Sequence, residues 1–399
     1  MNHRVAWREQ KRVEPMGLSE LIHPLNTSQF LDEYWEKRPV AIAGARGRFT
    51  HLFSSRDIGR LLQYLRPGPP EDMMLVKGSQ HYGGNWTNRD GAPRLDKVRA
   101  AWREGYTIVV NDLGARWEAV AQFAAALQAD LHHTINVNLY YTPAETQAFN
   151  PHFDIMDVFV LQLEGSKIWE VRAAAARLPL SDEHADLPQD HLPPVVIEEE
   201  LKEGGVLYVP RGYVHSARTT GVASLHLTVG VNIVTWIDFF AAAVSAARSD
   251  ERFRQALPPG FFNQADAMRE PFRALLDALP QYLSLDDGLS RLAEKLIAQT
   301  PPPAGDDLLA DEVELRLDTV LRRRVGVICR TLEGPRYAGI QYSGGKIIGP
   351  TKIAAALRFV TEHTEFSVGS IASDLTDRET LVLARRLIRE GLLEVKQTP

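Results

Sequence analysis

The sequence is poor in cysteine and in long apolar runs. Cys329 is the single cysteine among 399 residues, so neither an intrachain disulfide nor a thiolate metal cluster can form. No stretch of about 18 apolar residues occurs, and we therefore expect no membrane span. The charged start of the chain lacks the apolar core of a signal peptide, which favours a cytoplasmic protein.

The chain also lacks an excess of positive charge. Its net charge of −6 gives no general attraction to nucleic acid or to an anionic membrane. Apolar residues make up 44% of the 399 residues, which is typical of a globular protein with two or three domains.

The residue pattern divides the chain into three parts. Strand-like segments separated by turns at residues 134–234 predict a sandwich or barrel, which we place in a domain at 1–235. Helical periodicity follows at 236–330, and a helix, short helix, long helix and strand typical of a winged helix lie within 331–399. The helical part is expected to contain helices at 236–249, 271–283, 288–299 and 311–324, with a stiff linker at 300–307.

A histidine and a carboxylate stand together at the start of one strand, in "NPHFDIMDVFV". His152 and Asp154 are two residues apart, so their side chains point the same way and can converge on one ion. His215, beyond the strand in "GGVLYVPRGYVHSA", is the candidate third ligand. Two histidines and one carboxylate form the facial triad of non-haem Fe(II) oxygenases, and its open positions would accept 2-oxoglutarate and then O2.

The distal carboxylate of 2-oxoglutarate needs a cation deep in the barrel. Lys167 is the candidate, because a strand from the metal site and a tight turn lead to it. Asn138 and Tyr140, two residues apart on the preceding strand, share a face and could offer hydrogen bonds in the same interior.

Two further polar residues have simpler explanations. Asp157 is an odd number of residues from Asp154 and should face away from it, so we expect a surface role. His226, in "SLHLTV", is expected to be a packed strand residue and not a metal ligand.

These motifs, together with "LIHPLNTSQFLDEYWEKRPVAI" near the start, resemble the JmjC-type 2-oxoglutarate oxygenases, and most closely their ribosomal oxygenase branch. The resemblance spans most of the chain. It implies an α+β protein with a double-stranded β-helix (cupin or jelly-roll) barrel, a helical region at 236–330 that forms a homodimer, and a C-terminal winged helix. It also implies a dioxygenase that hydroxylates a protein or peptide side chain, with a ribosomal protein as one expected partner.

The resemblance assigns roles to the same residues. It implies that His152, Asp154 and His215 bind iron and that Lys167 binds the 2-oxoglutarate carboxylate, while Asn138 and Tyr140 line the pocket. One position departs from the pattern: relatives carry serine or threonine where this chain has Gly230. A hydrogen bond from that side chain is therefore missing or supplied from elsewhere, with Thr228 and Asn232 as candidates.

Three alternative functions stay open at this point. A JmjC N-methyl-lysine demethylase would use the same chemistry, and so would a hydroxylase of a small molecule or a biosynthetic peptide. A non-enzymatic regulator would join a cupin barrel to a DNA-binding winged helix. Residues 352–399 contain seven Lys or Arg and seven Asp or Glu, so their net charge is 7 − 7 = 0 and we expect no direct DNA binding.

Overall fold

The computed structural model describes residues 16–66, 68, 72–180, 187, 190–300, 314–371 and 374–396. Two predictions fall outside these residues. One is that the N-terminal segment is not a signal peptide, and the other is the linker at 300–307, of which only residue 300 is described. In the described part of the chain, no helix is both long and apolar enough to cross a membrane.

The chain divides into two compact units. One comprises residues 1–131 and 135–231, and the other comprises residues 132–134 and 232–399. The finer division into three domains stays a prediction.

The first unit contains short helices and most of the strands. Its helices are α1 (Leu18–Ile22), α2 (Thr27–Glu33), α3 (Ile58–Tyr64), α4 (Leu95–Arg103) and α5 (Glu118–Leu131). Its strands are β1 (Val40–Ile42), β2 (Met73–Lys77), β3 (Gln80–His81), β4 (Thr107–Val110), β5 (Thr134–Thr142), β6 (Asp157–Glu164), β7 (Ser166–Ala174), β8 (Val195–Lys202), β9 (Val206–Val209), β10 (Tyr213–Thr219) and β11 (Ser224–Asn232).

These strands form two sheets with antiparallel pairing. The larger sheet has the order β1-β9-β6-β11-β5-β4-β2-β3, and the smaller one has the order β10-β7-β8. Strand β6 reads as a nearly continuous apolar run because almost all of it is buried. Val158 and Val160 of β6 pack in one cluster with Trp169 and Val171 of β7, so the two sheets share an interior. The strand-rich region predicted at residues 134–234 is confirmed.

The second unit contains helices and two small sheets. Its helices are α6 (Trp236–Val244), α7 (Ala265–Ala278), α8 (Leu285–Gln299), α9 (Ala354–Glu362) and α10 (Asp377–Arg389). Its strands are β12 (Val320–Arg323), β13 (Cys329–Gly334), β14 (Tyr337–Tyr342), β15 (Gly345–Gly349), β16 (Glu365–Ser367) and β17 (Leu393–Val395). The sheets have the orders β16-β12-β17 and β13-β14-β15.

Two helix predictions in this unit need correction. The described part of 311–324 is not helical: it ends in strand β12, which pairs with both β16 and β17. Leu321 of β12 is fully buried, so tertiary packing overrides the helix-forming charged residues around it. Helix α7 begins at Ala265, before the predicted start at Pro271, which lies inside the helix.

A glycine turn determines how β6 leads into β7. Gly165 has a φ of +67°, which is the left-handed region, and a Cβ atom there would lie 2.1 Å from the carbonyl oxygen of Ala223. Only glycine fits this position without displacement of the backbone. The turn returns the chain from β6, so that Lys167 enters the smaller sheet two residues later.

We therefore expect Gly165→Ala to lower the free energy of unfolding by about 1–3 kcal/mol, because the added methyl group meets backbone in a strained conformation. Denaturant unfolding would measure the change. Gly221→Ala is the matched control, because nothing lies within 4 Å of a Cβ at that turn glycine. Equal stabilities of the two variants would contradict the interpretation.

Candidate metal centre

Backbone pairing brings the two predicted histidine ligands together. The His152 amide donates to the His215 carbonyl at 3.2 Å, and the His215 amide donates to the His152 carbonyl at 2.8 Å. Their ring centroids are 4.6 Å apart. Because the two residues form an isolated antiparallel bridge, both side chains project from the same place in the fold.

Asp154 completes the cluster. One of its carboxylate oxygens lies 3.5 Å from Nε2 of His215, and one ligand atom from each of Asp154, His152 and His215 lies within 4.8 Å of the others. The Gly212 amide donates to the Asp154 backbone carbonyl at 2.9 Å and holds this segment beside the turn before β10. The structure therefore brings all three predicted ligands together.

The histidine rings are oriented for metal binding. Nδ1 of His152 lies 2.8 Å from the Asn150 carbonyl, and Nδ1 of His215 lies 3.2 Å from the Tyr213 carbonyl. A carbonyl accepts only from a protonated Nδ1, so each neutral ring keeps the Nε2 lone pair for a metal.

The electrostatics of the cluster also suit a divalent cation. Burial, and then the neighbouring His152, lower the pKa of His215, although Asp154 opposes the shift. His215 is therefore neutral at neutral pH, and metal ligation requires the neutral imidazole. Two imidazole nitrogens and one carboxylate fit a site for iron(II) that leaves coordination positions open.

Lys167 lies inside the same fold and is only 2% exposed. Burial is the single cause that lowers its pKa, to about 7, and no neighbouring carboxylate contributes. A buried ammonium group without a counter-ion is unfavourable, and an anionic ligand would restore its charge. These properties fit the predicted contact with a carboxylate of 2-oxoglutarate.

Asn138 and Tyr140 lie two residues apart on β5 and so share a face of that strand. The Asp112 amide donates to Oδ1 of Asn138 at 3.0 Å. Burial and the negative charge of Asp154 raise the pKa of Tyr140. The tyrosine therefore stays protonated, and its O–H group is available to donate a hydrogen bond.

Residues 115–239 match the family model of the JmjC domain. The chain carries a JmjC domain. The matched residues include β5 to β11, and hence all six residues predicted to form the site.

Relatives extend the similarity beyond this domain. The chain is 30% identical to human ribosomal oxygenase 1 over 313 residues, which are 72% of this chain and 48% of that protein. It is 30% identical over 241 residues to the "bifunctional lysine-specific demethylase and histidyl-hydroxylase NO66" of Drosophila persimilis, covering 57% of this chain and 33% of that one. The chain thus spans about half the length, or less, of these curated relatives. The predicted relationship to the JmjC-type ribosomal oxygenases is confirmed.

A solved structure shows the same fold. YcfD, "a ribosomal oxygenase from Escherichia coli in complex with cobalt and 2-oxoglutarate", matches with a TM-score of 0.56 and 18% sequence identity. The match covers 94% of this chain and 99% of that chain. The cupin-like JmjC fold with antiparallel sheets is confirmed; the dimer and the winged helix stay predictions.

Two residues that the sequence gave little reason to choose also lie in the interior of the JmjC domain. His226 is not in the metal cluster, as expected, but its ring stacks on Tyr140 with centroids 4.8 Å apart and an interplanar angle of 3°. Trp169 meets His226 edge to face at 5.6 Å. Trp169 is two residues from Lys167 on β7, and this alternation is the signal that could have identified it.

The space beside Gly230, where the resemblance predicts a serine or threonine in relatives, is already occupied. A Cβ atom there would lie 2.4 Å from Sδ of Met156 and 2.6 Å from Oδ1 of Asn136, so these side chains fill the space of a serine or threonine. Of the two suggested replacements, Asn232 is exposed and donates to the Thr134 carbonyl at 3.1 Å. Thr228 shares a strand face with His226 and stays the candidate.

The predicted surface role of Asp157 is wrong. Asp157 is fully buried and accepts hydrogen bonds from the Tyr208 hydroxyl and, at 3.0 Å, from the Arg211 amide. Arg211 pairs in turn with Glu36 at 2.6 Å. Since Arg211 precedes Gly212, which binds the Asp154 backbone, the network supports the turn behind the metal cluster.

The stability of this network should depend on pH. Burial raises the pKa of Asp157 from 3.8 to about 6, so the folded state holds a proton that the unfolded state has already lost between these values. Stability conferred by Asp157 is therefore present below pH 4 and falls as the pH rises towards 6, by about 3 kcal/mol at most. Denaturant unfolding of wild type and Asp157→Asn across pH 4–7 would measure it. If the difference in the free energy of unfolding between wild type and Asp157→Asn were the same at every pH, the raised pKa of Asp157 would be contradicted.

Proposed function

We propose that the protein is an Fe(II)- and 2-oxoglutarate-dependent dioxygenase that hydroxylates a side chain of a protein or peptide. The observation that carries the proposal is the pairing of two sites in one interior. The cluster of His152, Asp154 and His215 suits iron, and Lys167 is a buried amino group without a counter-ion among the described residues. A metal site alone would fit many proteins, whereas the additional lysine fits a co-substrate with a distal carboxylate.

Each residue has a defined task in this proposal. His152 and His215 present Nε2 and Asp154 an anionic oxygen, and together they hold the ion. An iron(II) ion held there would supply the activation of O2, with 2-oxoglutarate as the electron donor, for insertion of oxygen into a substrate C–H bond. Lys167 neutralises the distal carboxylate and so fixes the orientation of the co-substrate.

The surrounding side chains control water and hydrogen bonding. Val158, Val160 and Trp169 form an apolar wall that excludes water from the interior and strengthens electrostatic contacts there. Burial and the charge of Asp154 raise the pKa of Tyr140, so its hydroxyl group keeps a proton to donate.

The names of the relatives support a ribosomal protein as the substrate. Ribosomal oxygenases 1 and 2 are among them, and the NO66 proteins are named as histidyl-hydroxylases. The same name also includes lysine-specific demethylase, which keeps N-methyl-lysine demethylation as the second candidate. Loss of a methyl group with release of formaldehyde would identify that reaction.

We expect wild-type protein supplied with Fe(II), 2-oxoglutarate and O2 to form succinate faster when a ribosomal-protein extract is added. His152→Ala should lower Mn(II) affinity by about 100-fold or more, because it removes a ligand, and should abolish succinate formation. His81→Ala, which changes an exposed histidine of β3, is the matched control and should leave both unchanged.

The products distinguish the alternatives. A mass increase of one oxygen atom in an extract protein would identify a hydroxylase and its substrate. Succinate formation stimulated only by free small molecules would identify a small-molecule hydroxylase. If wild-type protein did not bind 2-oxoglutarate, the proposal of a 2-oxoglutarate-dependent enzyme would be wrong. The non-enzymatic regulator with a cupin barrel would then be the remaining alternative.

We propose in addition that the helical region forms a homodimer. Its helices expose a broad apolar surface, with Trp236 72% and Phe240 55% exposed on α6. Exposed apolar residues also lie on α7 and α8: Phe272, Leu276, Leu285 and Leu289. An apolar surface of this kind is typical of a protein interface, and the resemblance names a second copy as the partner.

Phe240→Glu is therefore expected to convert a dimer into a monomer, because it would bury a charge in the interface. Size-exclusion chromatography with light scattering would give the mass. The matched control is Val382→Glu, which changes an exposed apolar residue of α10 outside the helical region and should leave the dimer intact. A wild-type monomer would contradict the proposal.

We also propose that the C-terminal segment is a winged helix with a protein-binding role. Strand β12 pairs with β16 and β17, and helices α9 and α10 pack with these strands around one apolar core. The balanced charge of residues 352–399 does not favour DNA as its ligand. We also retain the sequence-based prediction that the protein is cytoplasmic.

A further inference from the structure

Three buried polar groups of the JmjC domain lack a hydrogen-bond partner or a counter-ion within the described residues. Two of them, the indole N–H of Trp169 and Nδ1 of His226, are buried without a hydrogen-bond partner on side chains that are 6% and 2% exposed. The third is the amino group of Lys167, which is 2% exposed and has its pKa lowered by burial, with no counter-ion acting on it. Buried polar groups are nearly always hydrogen-bonded in folded proteins, so three unpaired ones in one place call for an explanation.

The three groups belong to one region of the interior. Lys167 and Trp169 alternate on β7 and so share a face. His226 comes from β11 in the opposite sheet, and its ring lies 5.6 Å from that of Trp169. The positive charge of Lys167 acts on His226, where it adds to the effect of burial in lowering the pKa of the histidine.

His226 is held in a fixed orientation. Its ring lies parallel to that of Tyr140, with the two centroids 4.8 Å apart. The edge of Trp169 restricts it from another side. A ring confined in this way cannot turn to reach solvent, so its nitrogen must find a partner inside.

The chemistry of the groups selects that partner. Lys167 and Trp169 can only donate hydrogen bonds, and a neutral His226 with its proton on Nδ1 donates as well. One cation beside two neutral donors matches a planar, singly charged acceptor with several lone pairs, which describes a carboxylate.

We propose that His226, together with Trp169, determines the specificity of the co-substrate site by donating hydrogen bonds to the distal carboxylate that Lys167 neutralises. This inference rests on the proposed 2-oxoglutarate-dependent function. Lys167 supplies the charge, and the two ring N–H groups select a 2-oxo acid that carries a second carboxylate at the correct distance.

Anaerobic calorimetry on the full chain loaded with Mn(II) tests this proposal with two ligands. 2-Oxoglutarate carries the distal carboxylate, whereas 2-oxovalerate has the same carbon chain without it. His226→Phe keeps a ring against Tyr140 and removes the N–H donor. We expect it to raise the Kd for 2-oxoglutarate by about tenfold or more, and the Kd for 2-oxovalerate by less than about twofold.

Two further variants keep the test decisive. His226→Asn retains an N–H donor and should recover part of the affinity for 2-oxoglutarate. Trp169→Phe removes the indole donor and keeps an aromatic ring, and it should give the same selective loss, including where His226→Phe fails to fold.

The outcomes separate this inference from the proposed function. Equal weakening of both ligands would show that His226 acts only through packing, and unchanged affinities would show that it does not contact the carboxylate. Either result, with wild-type protein binding 2-oxoglutarate, overturns the inference alone. Wild-type protein that binds no 2-oxoglutarate would overturn both.

Discussion

The backbone bridge between His152 and His215 is the interaction on which the site depends. Its two hydrogen bonds join the segment before β6 to the start of β10, and these segments are far apart in the sequence. Because each histidine also uses Nδ1 on a nearby carbonyl, the bridge fixes both the positions and the tautomers of the rings. Asp154 then needs only its place two residues after His152 to complete the cluster.

The interior combines strongly apolar packing with a few polar groups that packing alone does not justify. Lys167 and His226 are buried at a cost to stability, since no counter-ion acts on Lys167 and Nδ1 of His226 has no hydrogen-bond partner among the described residues. A core selected for stability alone would use apolar residues at these positions. Their presence is explained by a ligand that brings acceptor oxygens, and the apolar surroundings strengthen each contact with it.

Local spacing predicted the part of the site that lies within short segments. His152 with Asp154, and Asn138 with Tyr140, follow from the two-residue period of a strand, and Lys167 follows from a tight turn at Gly165. Residues whose environment is set by distant segments were predicted less well. Asp157 was assigned to the surface because the two-residue period of a strand shows only the direction in which a side chain points. It does not show which distant residues cover that side of the strand, and here Tyr208 and Arg211 cover Asp157.

The sequence by itself determined the donor set, the strand-rich region around it and the likeness to JmjC oxygenases, because residue types and periods are local properties. Tertiary structure alone decided which histidines meet, which side chains occupy the space beside Gly230, and that His226 and Trp169 lie near Lys167. It also made a strand of residues 320–323, since pairing with β16 and β17 outweighs local helical preference. These outcomes depend on contacts between segments that are distant along the chain, and only folding brings such segments together.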